Sequence, residues 1–117
     1  MPDFAGRHVL AELHGVDPGV LDDPARLGEL LAAAVTEAGA TVCDVVAKQF
    51  EPQGVTVVAV LAESHATVHT YPELGALFVD VFTCGEQADP EQAVRLLARS
   101  LEAGSVELST IRRGAPR

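Results

Sequence analysis

The sequence predicts an α+β fold, a two-layer α/β sandwich with a mainly antiparallel sheet and two helices on one face. Two segments repeat apolar residues at helical spacing, and each follows an Asp-Pro pair and ends at a glycine. The other periodic segments are short, alternate or wholly apolar, and separated by turn residues, which is typical of antiparallel strands. With 117 residues, 48% of them hydrophobic, the chain supplies one core and no room for a second. We therefore expect residues 1–117 to form a single domain.

The first half of the chain predicts a strand, a helix and two further strands. Residues 7–14 alternate apolar and polar positions as a strand does, and 17–23 predict a loop. Asp23 followed by Pro24 is a helix start, because proline at the first helical position has no N–H to lose. Apolar residues then recur at helical spacing until Gly39 ends the helix. Residues 41–50 and 55–61 predict strands joined by a turn over 51–54.

The second half repeats this plan after a central hairpin. Asp89 and Pro90 start a second helix, whose apolar positions recur at helical spacing until Gly104. Residues 105–111 predict a last strand. The predicted order is therefore β, α, β, β, β, β, α, β, which favours an antiparallel sheet with both helices on one face.

Most of the reactive side chains lie in residues 62–85, which hold two of the four histidines, one of the two cysteines and the only tyrosine. Pro72 and Gly75 mark a turn between two strand-like runs, so the segment predicts an antiparallel hairpin. With the turn centred between positions 73 and 74, opposite residues have numbers that sum to about 147. Position 69 then faces 78, 65 faces 82, and 63 faces 84. This register carries Cys84 back beside Ser64.

Taken singly, these side chains also have ordinary structural interpretations. Cys43, a lone cysteine in an apolar strand, is predicted to be a small core residue. His65 and His69 are four positions apart, but in a strand and with only Cys84 as a further ligand they do not predict a zinc site, and no metal is expected. Ser64 and His69 differ in parity and so lie on opposite faces of a flat strand. If they cooperate, the chain must bend or bulge near Ser64.

The central hairpin resembles the processing site and active-site strand of the small prokaryotic S-adenosylmethionine decarboxylases. The likeness extends to Gly6, Arg7 and His8 and to the turn at 39–41, so it covers nearly the whole chain. The matching residues of the hairpin are Glu63, Ser64, His65, Thr67, Val68, His69, Thr70, Tyr71, Pro72, Glu73, Asp80, Val81, Phe82, Thr83, Cys84 and Gly85.

This resemblance implies a proenzyme that cuts itself between Glu63 and Ser64 into a β chain, 1–63, and an α chain, 64–117. The Ser64 hydroxyl attacks the preceding carbonyl and converts an amide into an ester. By resemblance, His69 removes the α-proton of residue 64 in the elimination that follows. Ser64 then becomes a covalent pyruvoyl group, which does the electron-accepting work of pyridoxal phosphate, and Cys84 matches the proton donor to the product. The implied activity is decarboxylation of S-adenosylmethionine, which supplies the aminopropyl donor for spermidine and other polyamines.

Three further positions carry over from the family. Phe50 matches an aromatic that stacks on adenine, Glu73 matches an acid that binds the ribose hydroxyls, and Thr56 stands where many relatives have a serine that supports processing. The ordinary alternative for Phe50 is a half-buried strand aromatic, and that for Glu73 is an exposed glutamate in a turn. Gln53 and Val57 depart from the family pattern near the expected pocket. Two alternatives therefore stay open: a pyruvoyl decarboxylase of a free amino acid such as arginine or ornithine, and a non-catalytic homologue that never cleaves.

Charge and hydropathy narrow the possible partners. The formal net charge of −9 disfavours nucleic acid, and the basic cluster of Arg112, Arg113 and Arg117 reads as a solvated C-terminal tail. No apolar run is long enough to span a bilayer and no basic, apolar leader is present, so we expect a cytoplasmic protein with no membrane partner. The resemblance implies a homodimer of processed αβ protomers, with S-adenosylmethionine bound at or near the subunit contact.

Overall fold

The strands and helices follow the predicted order with one addition. A computed structural model describes residues 4–114. The elements are β1 (Gly6–His14), α1 (Pro18–Leu21), α2 (Pro24–Glu37), β2 (Val42–Gln49), β3 (Val55–Leu61), β4 (Ser64–Tyr71), β5 (Ala76–Cys84), α3 (Pro90–Ser100) and β6 (Ser105–Arg113). A turn of 3-10 helix, Pro72–Leu74, joins β4 to β5.

The addition is α1, which lies within the predicted loop over 17–23. The carboxylate of Asp17 accepts a hydrogen bond of 3.0 Å from the backbone N–H of Gly19. Leu21, at the other end of this turn, is fully buried. A polar cap and an apolar anchor therefore convert part of the loop into one helical turn.

Six strands form one sheet in the order β2-β3-β4-β5-β1-β6, and every neighbouring pair is antiparallel. α2 and α3 pack against each other and against one face of the sheet, and their buried side chains join those of the strands in one core. The predicted α+β two-layer sandwich is therefore confirmed. Because β1 lies between β5 and β6, residues near the start of the chain contact both the central hairpin and the last strand.

Both long helices begin at the predicted caps. The Asp23 carboxylate accepts a hydrogen bond of 3.1 Å from the N–H of Arg26, and the Asp89 carboxylate accepts bonds of 3.1 and 3.2 Å from Glu91 and Gln92. Each cap satisfies N–H groups that a first helical turn leaves free, which typically stabilises a protein by about 1 kcal/mol. Among residues 4–114, no helix has both the length and the apolar character that crossing a membrane requires.

The two faces of the sheet differ in what covers them. Residues such as Val57, Ala66 and Val81 lie beneath the helices and are at most 1% exposed. The opposite face carries no helix among the described residues, and we call it the open face. Apolar side chains that point from it remain about half exposed, which is typical of an interaction surface; they are Leu10, Val46, Val60, Tyr71, Phe78 and Ile111.

The register of the central hairpin is confirmed. Ser64 pairs with Thr83 and His69 with Phe78, so the numbers of opposite residues sum to 147. The pairing runs along all of β4 without a shift. The bend or bulge that would bring His69 to Ser64 within one chain is therefore not present.

Two expectations about single residues were wrong. Cys43 is exposed rather than in the core, because the register of β2 against β3 shifts beside Val42 and leaves residue 43 outside the ladder. Arg112 and Arg113 are strand residues, since β6 continues to Arg113, so they do not form a solvated tail. Arg117 lies outside the described residues.

Candidate active site

Ser64 opens β4 directly after a turn of two residues, Ala62 and Glu63, that joins it to β3. The Glu63 carboxylate accepts hydrogen bonds from the backbone N–H of Thr41 at 2.9 Å and from its hydroxyl at 3.4 Å. The Glu63 carbonyl oxygen accepts a bond of 3.1 Å from the backbone N–H of Cys84. The peptide bond between Glu63 and Ser64 therefore lies in a tight turn that is held on two sides, with Cys84 beside it.

The Ser64 hydroxyl lies next to an imidazole ring. Its Oγ is 3.4 Å from Nδ1 of His65, and Nε2 of the same ring is 3.1 Å from Oδ2 of Asp80. Oδ2 is also 2.7 Å from Nε2 of His8, and Oδ1 accepts a hydrogen bond from the Thr67 hydroxyl. One imidazole ring thus connects Ser64 to a carboxylate on the neighbouring strand.

Asp80 is charged at neutral pH. Burial by itself raises the pKa of its carboxyl, but hydrogen bonds from Thr67 and His8, followed by the charge and hydrogen bond of His65, outweigh burial and lower the pKa from its ordinary value of 3.8. The ligand atoms of His8, His65 and Asp80 lie within 4.8 Å of one another, so this group is able to hold a metal ion. Those same atoms already satisfy one another through hydrogen bonds.

Phe82 and Arg113 enclose the two histidines. The Phe82 ring centroid lies 5.2 Å from that of His8 and 5.8 Å from that of His65. The Arg113 guanidinium carbon lies 4.4 Å from the Phe82 centroid, and Nη1 of Arg113 is 3.3 Å from Nδ1 of His8. The last strand therefore takes part in the site through a cation–π contact and a hydrogen bond.

His69 does not belong to this cluster. It pairs with Thr56 across β3 and β4, and the Thr56 hydroxyl oxygen is 2.6 Å from its Nδ1. Five residues of extended chain separate it from Ser64, a distance of about 16 Å at roughly 3.3 Å per residue. The structure brings the two predicted processing residues Thr56 and His69 together but keeps them away from Ser64 of the same chain.

Phe50 and Glu73 lie at the end of the sheet that is opposite to Ser64, where β2 and β4 end. Phe50 follows β2, is 46% exposed, and donates its N–H to the carbonyl of Gly54 at 2.8 Å. Glu73 is exposed in the 3-10 turn after β4. The predicted site residues therefore form two groups: a processing group of Glu63, Ser64 and Cys84 at one end of the sheet, and a distal group of Phe50, Thr56, His69 and Glu73 toward the other.

A cavity of about 490 Å³ lies on the open face, over strands β4, β5, β1 and β6. It is lined by His69 of the distal group, by Asp80, which binds His8 and His65, and by Phe78. Glu12 and Glu107, which also line it, face each other across β1 and β6. The size is that of a small-molecule site, and the two carboxylates favour a cationic ligand.

Sequence reasoning assigned no role to His8, Asp80 or Arg113. A signal for Asp80 was present, because the predicted register places position 80 opposite 67, two pairs along from His65 and on the same face of the sheet. His8 and Arg113 gave no such signal, since they reach the cluster through β1 and β6, whose places in the sheet were not predicted.

The chain is similar to known proteins along almost its whole length. The family model for S-adenosylmethionine decarboxylase matches residues 7–114. The S-adenosylmethionine decarboxylase proenzyme of Caldanaerobacter subterraneus subsp. tengcongensis is 44% identical over 109 residues, which are 93% of this chain and 88% of that protein. The proenzyme of the same name from Parasynechococcus marenigrum is 47% identical over 113 residues, 97% of this chain and 88% of that protein. The crystal structure of the adenosylmethionine decarboxylase from Aquifex aeolicus matches with a TM-score of 0.87 and 37% identity, covering 96% of this chain and 92% of that chain.

Proposed function

Because this chain belongs to the S-adenosylmethionine decarboxylase family, we propose that it is a self-processing S-adenosylmethionine decarboxylase that uses a pyruvoyl group made from Ser64. The placing of Ser64 carries the proposal. It follows a two-residue turn, the carbonyl before it is held by the N–H of Cys84, and its hydroxyl lies beside an imidazole. The product of the reaction is the aminopropyl donor for spermidine and related polyamines.

Self-cleavage begins when the Ser64 hydroxyl attacks the carbonyl carbon of Glu63. A bond forms between Oγ and that carbon, the amide C–N bond breaks, and an ester replaces the amide. Negative charge develops on the Glu63 carbonyl oxygen during the attack. The N–H of Cys84, 3.1 Å away, is placed to stabilise that charge as an oxyanion donor does.

The second step removes the α-proton of residue 64 and breaks the bond between Cβ and Oγ of the ester, which releases the new carboxylate of Glu63 and separates the chains 1–63 and 64–117. The dehydroalanine left at residue 64 takes up one water and loses ammonia, and it thereby becomes the pyruvoyl group. The surroundings fit the formation of a pyruvoyl cap, since cleavage leaves residue 64 as the first residue of β4 with the half-buried Cys84 beside it. A pyruvoyl group supplies adjacent carbonyls that accept the electrons released as carbon dioxide leaves. The Cys84 thiol delivers a proton to the product carbon.

The distal group completes the site from a second copy of the chain. β4 is unbroken between Ser64 and His69, so His69 acts on the Ser64 of another copy rather than its own. A twofold homodimer that pairs the open faces brings the distal group of each copy to the processing group of the other and forms two equal sites. The exposed apolar side chains of the open face supply the buried contact.

The site residues favour S-adenosylmethionine as the substrate. Phe50 presents a half-exposed ring at a turn, and this ring stacks on the adenine. Glu73 offers its carboxylate to the ribose hydroxyls. Glu12 and Glu107 place negative charge in the cavity of the open face, which complements a sulfonium and an ammonium group. Free arginine or ornithine has no ring for Phe50 to stack on.

The test is the intact mass of the protein under denaturing conditions, followed by carbon dioxide release from labelled S-adenosylmethionine, arginine and ornithine. We expect two fragments that meet at Glu63 and Ser64, a blocked N-terminus on the second, and release from S-adenosylmethionine alone. Ser64→Ala should give one uncut, inactive chain. A wild-type chain that stays uncut on long incubation contradicts the processing, and release from ornithine or arginine instead contradicts the substrate.

A further inference from the structure

We propose that His65 is the base that takes the proton from the Ser64 hydroxyl in the first step of self-cleavage, and that Asp80 orients its ring. The inference rests on the proposed self-cleavage and adds a catalytic residue to it. The two histidines of β4 then act in different steps. His65 acts in the ester-forming step within its own chain, and His69 acts in the elimination in the partner.

The hydrogen bonds determine which nitrogen of His65 is free to act. Nε2 of His65 is 3.1 Å from Oδ2 of Asp80, and a carboxylate only accepts hydrogen bonds, so the ring proton of neutral His65 lies on Nε2. Nδ1 therefore carries the lone pair, and it is the atom that lies 3.4 Å from Oγ of Ser64. The serine, imidazole and carboxylate thus stand in the order that activates a serine nucleophile.

His8 and Arg113 support the carboxylate in this arrangement. Arg113 has only donors and its Nη1 is 3.3 Å from Nδ1 of His8, so Nδ1 of His8 accepts and its Nε2 donates to Asp80. With the hydroxyl of Thr67 on Oδ1, Asp80 accepts three hydrogen bonds from side chains. These bonds hold it charged and in place, where its negative charge stabilises the imidazolium that forms on His65.

The step balances within one chain. The proton leaves Oγ of Ser64 for Nδ1 of His65 as Oγ bonds to the carbonyl carbon of Glu63. The same proton then passes to the nitrogen of residue 64 as the C–N bond breaks. The products are an ester, a free α-amino group on residue 64 and a neutral His65, with no oxidation or reduction.

Within its own chain, His69 is too distant from Ser64 to be this base, and its ring is otherwise engaged; the partner's His69 is removed in the experiment by the His69→Ala background. His69 lies about 16 Å along the strand from Ser64, and its Nδ1 contacts the hydroxyl of Thr56 at 2.6 Å. His8 reaches Asp80 rather than Ser64. Among residues 4–114, His65 is the histidine whose ring nitrogen lies within hydrogen-bond distance of the Ser64 hydroxyl.

The experiment measures ester formation alone, in a His69→Ala background that stalls after the first step. Freshly translated full-length chain is incubated with hydroxylamine, which traps each ester as it forms, and cut fragments are followed by intact mass. The chain contains no asparagine, so hydroxylamine finds no Asn-Gly bond to cleave. The compared variants add His65→Ala, His65→Gln or, as a matched control, His14→Ala, which removes an exposed histidine of β1.

We expect both His65 variants to form the trapped ester about 100-fold more slowly than the parent, because general base catalysis contributes about 10²–10⁴-fold. His14→Ala should equal the parent, and added imidazole should accelerate His65→Ala. The glutamine amide still donates to Asp80 but is no base, so parental rates in His65→Gln would assign His65 a structural role and overturn the proposal. Parental rates in His65→Ala would overturn it equally. A wild-type chain that never cleaves would instead contradict the proposed function itself.

Discussion

The backbone N–H of Cys84 donates a hydrogen bond of 3.1 Å to the carbonyl oxygen of Glu63. This bond joins the residue before the proposed cut to the residue proposed to protonate the product. Because it uses the main chain of Cys84, a change of the side chain leaves it in place. The two proposed roles of residue 84, in cleavage and in decarboxylation, are therefore separable by mutation.

Cys84→Ala should still cleave but should decarboxylate about 10²–10⁴-fold more slowly, since it keeps the oxyanion donor and loses the proton donor. Intact mass reports the first outcome and carbon dioxide release the second. Cys43→Ala, which removes an exposed thiol, is the control and should match the wild type in both. Full decarboxylase activity in Cys84→Ala would remove the thiol from the mechanism.

Mixing two inactive variants should restore cleavage if His69 acts on the partner. Ser64→Ala supplies an intact His69, and His69→Ala supplies an intact Ser64, so a mixed dimer holds one complete site. Co-expression of tagged chains should convert up to about half of the His69→Ala chain to fragments, given random pairing of twofold dimers. Cleavage that appears in neither chain of the mixture would contradict action in the partner.

Thr56→Val should stall processing at the ester, because the hydroxyl that lies 2.6 Å from Nδ1 of His69 orients that ring for the elimination. Thr56→Ser keeps the hydroxyl and should process at a rate close to that of the wild type. The stalled species is the ester, and it is recognised because hydroxylamine cleaves it before the chain cuts itself. Equal rates of spontaneous cutting in the valine and serine variants would show that the hydroxyl has no such role.

Asp80 should make stability depend on pH in the acid range. Its carboxyl has a lower pKa in the folded chain than its ordinary value of 3.8, so the unfolded chain binds the proton first as the pH falls. The stability it contributes is complete well above 3.8 and is lost as the pH falls from there through the folded pKa. Urea unfolding of the uncut Ser64→Ala chain measures this dependence. Adding Asp80→Asn should lower the stability at neutral pH and flatten the loss in acid, whereas parallel curves would contradict the assignment.

Phe78→Glu should break the proposed dimer, because it buries a charge in a face-to-face sheet contact where a half-exposed ring now lies. Sedimentation should give about twice 12.2 kDa for the wild type and 12.2 kDa for the variant. Without a partner's His69, the variant should also fail to complete cleavage. Ala33→Glu adds the same charge on the outer surface of α2 and should leave both the dimer and cleavage intact. A dimeric, fully cleaved Phe78→Glu would place the contact elsewhere.

Local pattern in the sequence was enough to predict most of the fold. The Asp-Pro pairs at Asp23 and Asp89 marked both long helices, because capping and the φ angle of proline act within one turn. The hairpin register followed from the turn after Pro72, since side chains alternate along a strand and a register shift of one would expose the core face. Cys43 was misjudged because a shift in β-pairing depends on the neighbouring strand.

The sequence by itself therefore determined the elements, the central hairpin and the pairing that places Cys84 beside Ser64, all of which depend on near neighbours in the chain. Tertiary structure decided which side chains surround the nucleophile. β1 enters between β5 and β6 and brings His8 to Asp80, with Arg113 of β6 against it. The unbroken length of β4 keeps Ser64 and His69 apart. The sequence indicated only that the two residues lie on opposite faces of a flat strand, and it did not show whether the strand is bent between them. Pairing between strands that are distant in sequence depends on burial over the whole sheet and not on the local periodicity of apolar residues. It is therefore seen only in the folded chain.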